Sequence, residues 1–563
     1  MFLQLRSWSV VIFRFYLITK RQYNTIRMRK YLMLMLVALV ATTQVYAQSI
    51  NNPTVDQQMV EKIMKEGLEN SHVMEYAGWL TDVYGPRLTN SPQLMRAQEY
   101  VMETLSDLGV EEVHLHKWGP FGTGWTLKRF AMHVNTPYAY FPVIAQPKAW
   151  SPGYESLQSG DAVYLKIESP EDYEKYRGKL AGKFVLTEEP VKAEPSFTPI
   201  ASRRDAENLL QLANATRMPA RVGQGGGGPN AAFLARAQSA YEKAQFLMDE
   251  KPVAILDQSY RGWGGQVAVS GATLPSDPSL GWGERPRPHQ VDAPTPIPQI
   301  SLAREHYGRI YRLLEKDIPV KIDMELEVEF QKDDLYGYNV IGDIKGTDAE
   351  VGDEVVMLGG HIDSWHTGTG ATDNGAGTIV MMEAMRILKA LGVEPRRTIR
   401  IGLWSGEEQG LHGSLQYVSE FFGSRGTNFG ETGELELKPA YDKLSAYYNI
   451  DNGTGQARGI YLQENEQLRQ LFSTWLTPFR DWDASTVSFQ NTGGTDHLSY
   501  DRVGLPGFQF IQDAVEYSTF THHSNMDVYE RLVEQDLQRT AIIVATFVYH
   551  TAMLDQRLPR KGE

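Results

Sequence analysis

The 563-residue chain contains no cysteine. That absence excludes disulfides, a thiol nucleophile, cysteine-ligated zinc and a lipid-modified cysteine anchor, so any metal site must be built from His, Asp and Glu. Excess positive charge is also missing: the formal net charge of -14 disfavours nucleic acid or an anionic membrane surface as a partner. No apolar run reaches the roughly 20 residues of a membrane span. The longest near the N-terminus, 31–41, follows Arg29-Lys30 and precedes Val45-Tyr46-Ala47, which reads as a cleavable export signal over 1–47. Residues 1–27 sit awkwardly ahead of that signal, and Met28 is the better start. This implies an exported chain, periplasmic or extracellular, without stable membrane insertion after cleavage. A nucleophile elbow, G-x-S-x-G, is absent too. Ser364 and Ser405 follow strand-like runs but lack the flanking glycines, which argues against a serine hydrolase. The glycine run 223–228 has no GK[ST] after it and no clean strand before it, so it is neither a P-loop nor a dinucleotide fingerprint but a surface loop.

What is present is the composition of a soluble globular protein, 42% hydrophobic and 22% charged, at a length that calls for two or more domains. The most informative stretch is 355–410. Two short apolar runs, 355–358 and 398–404, are rich in branched or aromatic residues, as buried parallel strands are. Between them 377–391 has helical spacing and stops at Gly392, a C-cap. Past the ends of these strands stand His361, Asp363, Asp373, Glu407 and Glu408, where open α/β sheets place their sites. A similar run at 446–450 ends in Asp451, and another at 505–511 leads to the loop carrying His522, His523 and Asp527, before a terminal helix over 532–553. Taken singly, an H-x-D pair or an acidic helix start is more often structural than catalytic. In this order, each flanked by small residues, the groups form one candidate site.

Elsewhere the pattern predicts helices over 56–67, 92–108 and 303–316 and strands over 112–117, 162–167, 183–186, 253–256 and 321–330. His114 and His116 lie on one face of the 112–117 strand, an exposed or edge face rather than a metal site. Between 151 and 319 turn residues are denser and acid/His clustering disappears, which marks a separate, inserted region.

The segments GGHIDSW, ATDNGAG, LWSGEEQG, NID and HHSNMD, in this order, resemble the co-catalytic di-zinc exopeptidases, a family that includes bacterial leucyl aminopeptidases. The likeness extends to GPRLTNSPQLMRAQEYVMETL near the start and to a middle region similar to a protease-associated domain, and it is weakest over 193–247. It implies an α/β fold with a mixed, mostly parallel sheet and helices on both faces, divided as 48–150, an inserted mainly-β domain at 151–330, and 331–563. It implies two Zn2+ ions, with Asp373 bridging them, His361 and Asp451 on one, and Glu408 and His523 on the other. Glu407 becomes the general base, Asp363 the carboxylate that orients His361, and Asp527 a similar support. Asp496, His497 and His522 fall near the substrate. The implied partners are short peptides, with a homodimer as the assembly. Two other readings, a silent receptor-like homologue and a single-zinc glutaminyl cyclase, are disfavoured by the complete set of ligand positions.

Overall fold

The parallel strands that carry the candidate site lie side by side at the centre of one eight-stranded sheet. The computed structural model describes residues 53–216, 231–425 and 433–562; the expected export signal, Met28 and the glycine run fall outside them. The site-bearing sheet comprises β1 (Glu111–Trp118), β2 (Gly337–Ile344), β3 (Val355–His361), β4 (Thr398–Trp404), β5 (Leu444–Asn449), β6 (Ala457–Tyr461), β7 (Thr486–Ser488) and β8 (Gly507–Gln512). Their spatial order is β1-β2-β4-β3-β5-β8-β6-β7. Strands β4, β3, β5 and β8 are mutually parallel, whereas β1 and β2 on one flank and β6 on the other add antiparallel pairings. All four carboxyl ends of the parallel core therefore open on one edge.

Every residue of β3 is buried, as a strand covered on both faces must be. Val355 and Met357 join Trp404, Tyr417, Tyr447 and Tyr500 in a core under the helix His412–Phe421. The alternate residues Val356 and Leu358 face the other side of the sheet, where the helices Ala376–Ala390 and Glu534–Met553 pack on each other and on β3. Gly392 caps the first of these in the left-handed conformation, at φ 61°. Side by side in the register, Gly359 and Gly402 leave a bare strip for the Trp404 and Tyr447 rings. A Cβ on Gly359 would stand 2.1 Å from the Gly402 carbonyl oxygen.

A second eight-stranded sheet takes its strands from 124 to 331. Its longest pair is Gly124–Asn135 against Lys321–Gln331, antiparallel, and its far half is a parallel set, Gln158–Tyr164, Phe184–Leu186, Ala254–Gln258 and Gln299–Leu302. The expected boundary at 151 thus falls inside this sheet, because Gly124–Asn135 pairs with the segment at the other end of the insert rather than with β1. The helices Gln57–Glu69 and Pro92–Asp107 start on side-chain caps, Asp56 and Ser91, whose oxygens accept from Met59 N and Leu94 N. Strand β1 is an edge strand. His114 is exposed on it, and His116 is buried against Tyr417 with Nε2 3.0 Å from Glu420.

Candidate metal centre

His361 is the last residue of β3 and Trp404, directly opposite, the last of β4. The chain leaves β4 through Ser405 and Gly406, at φ 74°, a turn that suits glycine and brings Glu407 and Glu408 back over the sheet edge. Asp451 follows β5 by two residues, and His523 lies on the loop after β8. Residues distant in the chain thereby converge.

The His361 ring is wholly buried, and its Nδ1 lies 3.0 Å from the main-chain carbonyl of Asp363. A carbonyl only accepts, so Nδ1 is a donor and Nε2 is the nitrogen that faces the cluster. That Nε2 lies 3.5 Å from Asp373 Oδ1, 3.4 Å from Asp451 Oδ1 and 3.8 Å from Glu407 Oε2. On the other side of Asp373, Oδ2 lies 3.3 Å from His523 Nε2, which is in turn 3.0 Å from Glu408 Oε2. Asp373 thus presents one oxygen to each half of the site. Four buried atoms here have no hydrogen-bond partner: His361 Nε2, Asp373 Oδ2, Glu408 Oε1 and Asp451 Oδ1.

Unpartnered buried polar atoms are costly, and several of them converging on two points call for a ligand that satisfies them together. Neighbouring ligands of a tetrahedral ion with bonds of about 2.0–2.2 Å stand roughly 3.3–3.6 Å apart. The spacings around His361 and between His523 and Asp373 have this value, and His523 to Glu408 is somewhat shorter. Glu407, at 3.8 Å from His361 Nε2, stands farther out. Charge points the same way. The buried Asp363, Asp373 and Asp451 and the largely covered side chains of Glu407 and Glu408 crowd one space with imidazoles, and the fully buried Arg87 is committed to the carbonyls of Leu80, Ile362, Thr369 and Gly370.

Burial first, then the neighbouring carboxylates, raises the pKa values of Glu407 and Glu408 well above the usual carboxylate range, and burial likewise raises that of Asp451. Asp373 goes the other way, because against the effect of burial the neighbouring imidazoles of His361, His523 and His522 hold it down. For His361, burial is outweighed by Asp451 and Glu407, which hold it well above its ordinary value.

The supporting residues do not all act where the sequence pattern puts them. The Asp363 carboxylate stands 3.5 Å from His361 Nδ1, but that nitrogen bonds the Asp363 carbonyl. The carboxylate instead accepts from Thr89 Oγ1 at 2.9 Å and from the backbone N–H groups of Glu407 and Glu408 at 3.4 Å. Asp527 does not orient His523. Its oxygens accept from Thr372 N, Thr372 Oγ1 and Asp373 N at 2.6, 2.7 and 3.1 Å, which fixes the turn that presents Asp373. Asp496 is buried, accepts from Ser414 Oγ and adds its charge to Glu407, while burial pushes its own value up to about 7. His497 turns away and places Nε2 3.1 Å from the Thr492 carbonyl oxygen.

His522 stacks on His523 with ring centres 3.7 Å apart, and its Nε2 lies 3.9 Å from Asp373 Oδ2. Tyr517, which no sequence motif singled out, donates from its hydroxyl to Asp373 Oδ1 at 3.1 Å. Arg87 and Thr89 also went without a role in the sequence reading, although the segment GPRLTN that contains them carried part of the resemblance. Their contacts with Ile362 and Asp363 cross more than 270 residues of chain, beyond any local pattern.

The second sheet's region reaches the site directly. Val269 N donates to His523 O at 3.1 Å, Asn525 N donates to Val267 O at 3.1 Å, and Ala268 bridges Ser524 in antiparallel fashion. This short ladder holds His523 at φ 56°, a left-handed conformation costing about 1–2 kcal/mol in a non-glycine residue.

Residues 339–548 match the model of the family described as Peptidase family M28. Carboxypeptidase Q of Mus musculus is 25% identical over 491 residues, which cover 86% of this chain and 87% of that protein. The solved structure of a peptidase M28 precursor from Shewanella amazonensis SB2B superposes with a TM-score of 0.61 at 21% identity, over 90% of this chain and 99% of that one. A zinc aminopeptidase from Bacillus subtilis superposes with a TM-score of 0.50 at 16% identity, over 87% and 96%. At these identities the two structures speak for the shared mixed α/β fold.

Proposed function

Residues 339–548 are a peptidase family M28 domain and the chain is a metallopeptidase, and on that premise we propose that it is an exported, two-zinc exopeptidase of short peptides. The observation that carries this reading is Asp373. It turns one carboxylate oxygen toward His361 and Asp451 and the other toward His523 and Glu408, among unpartnered buried atoms. His361, Asp373 and Asp451 would hold one ion, and Asp373, Glu408 and His523 the other. The all N and O donor set at this spacing suits zinc. Zinc, when bound, supplies Lewis acidity toward a carbonyl oxygen and lowers the pKa of water.

Glu407 is the general base. It stands beside His361 and Asp451, within reach of a metal held there but outside those two ligand sets, and burial raises its proton affinity above that of an ordinary carboxylate, the direction a general base needs. It removes a proton from the attacking water and passes it to the leaving amine. Asp363 keeps the backbone of Glu407 and Glu408 in place.

Access favours small substrates. The segment after Phe184–Leu186 straps the loop beyond β8, with Ser202 bridged to Val515 and Arg203 paired with Asp513 and Asp536. We assign this strap and the second sheet to an inserted protease-associated domain that narrows the cleft, so dipeptides are among the expected substrates. A homodimer remains the proposed assembly.

Glu407→Gln tests the reading. It removes the base and leaves every ligand, so turnover should fall at least about 10²–10⁴-fold with zinc content unchanged by elemental analysis. A variant that keeps wild-type turnover would overturn the mechanism. A dipeptide library with free and capped termini reads which end the enzyme requires.

A further inference from the structure

We propose that His522 is a neutral imidazole, fixed by Arg261 with its proton on Nε2, that donates this hydrogen to the scissile carbonyl oxygen. The inference rests on the peptidase reading above.

Arg261 comes from the second sheet's region. Its Nη2 lies 2.5 Å from His522 Nδ1 and also donates to the His522 carbonyl, while Nη1 donates to Ser518 O at 3.0 Å. A guanidinium has donors only, so Nδ1 accepts and the single ring proton of neutral His522 is on Nε2. That nitrogen stands 3.9 Å from Asp373 Oδ2, beyond hydrogen-bond range, so its N–H is unspent. The ring is held by stacking on His523 and by the edge contact of Tyr517 at 4.9 Å. Its side chain is 33% exposed where Asp373 is 5%, so His522 meets the cleft while Asp373 lies beneath it.

The alternative role, a metal ligand in a trio with Asp373 and His523, has the wrong tautomer. A bond from Nε2 would move the proton to Nδ1 and set two N–H donors against each other at 2.5 Å. His361 shows the opposite arrangement, with Nδ1 on a carbonyl and Nε2 bare.

The chemistry balances without moving the His522 proton. The water oxygen forms a bond to the carbonyl carbon, the π electrons shift to the carbonyl oxygen, and Glu407 takes the water proton. The N–H of His522 then donates to an oxygen that carries more charge than in the ground state, where a preorganised donor acts most strongly. When the electron pair returns, the C–N bond breaks and the proton on Glu407 goes to the leaving nitrogen. His522 is thereby a catalytic residue, and Arg261 is a positioning residue that acts through it.

The test uses the zinc-loaded full chain with His522→Ala, His522→Gln, Arg261→Met and the Arg261→Met/His522→Ala double variant. Expected is a fall in kcat of about 10²–10³-fold for His522→Ala, a KM within a few-fold of wild type, unchanged zinc per chain, and partial recovery with the amide donor of His522→Gln. Arg261→Met should lower kcat about tenfold when His522 is present and less than twofold when it is Ala, a coupling that general loosening would not give. Loss of one zinc in His522→Ala would make His522 a ligand and overturn the proposal. So would an unchanged kcat in that variant, or an equal effect of Arg261→Met in both backgrounds. A wild-type zinc-loaded protein that cleaves no peptide would instead defeat the peptidase reading itself.

Discussion

Single side chains at the site divide into those that face the cluster and those that aim them. His361 and Asp527 illustrate how differently the two kinds could be read in advance. The residue types that face the cluster can be named from the order of strand ends and small residues, because chemistry restricts what can stand there. The aiming contacts cannot. Asp527 grips the Thr372–Asp373 backbone from more than 150 residues away, and nothing in its local sequence distinguishes that task from support of His523, four residues earlier. Asp527→Asn replaces an acceptor pair with one acceptor and one donor facing Thr372 N and Asp373 N. Affinity for zinc should weaken about 10–100-fold, read by competition with a chelating dye, while far-UV circular dichroism stays as in wild type. Unchanged affinity would mean that the turn holds itself.

Among the elements, β3, β4 and the helix between them were readable because a buried parallel strand is apolar throughout and the helix has its own period and cap. The helix runs over Ala376–Ala390, within one residue of its expected ends. Strands β2, β6 and Gly124–Asn135 were not foreseen. They mix glycine, charge and aromatic residues, and their strand character comes from partners far along the chain. In β2, Asp343 sits opposite Arg400 of β4, and the guanidinium donates to both carboxylate oxygens at 2.7 Å. Burial works against the charged form of Asp343, but Arg400 and Lys345 win and hold its pKa below the ordinary value. An acid depressed in this way adds stability that is present above its unfolded pKa of about 3.9 and is lost as pH falls through the folded value. The thermal midpoint of the wild-type protein should therefore drop more between pH 6 and pH 3 than that of Asp343→Asn. Parallel acid limbs would remove the pair from the account of acid stability.

At the scale of the whole molecule, the two sheets are joined at the site itself and not only through their connecting chain. The composition shift between 151 and 319 marked the inserted region, yet it gave no sign that Val267–Val269 would pair with the His523 loop, since a β-bridge of one or two residues leaves no pattern. Val269→Pro removes the N–H that donates to the His523 carbonyl, at a buried position that packs with Val267 and Ala303. On the proposed two-zinc reading, zinc bound per chain should fall toward one, with kcat reduced in step and the far-UV circular dichroism of the metal-free protein as in wild type. Retention of both ions would show that the His523 loop keeps its shape alone.

That ladder also orders events in time. A ribosome makes residues 265–269 long before 520–525, and His523 and Asp451 are made after all the other groups of the cluster. A nascent chain therefore carries a half-built centre until its last strand and helix have docked. Completion of the candidate centre thus coincides with the docking of those late elements.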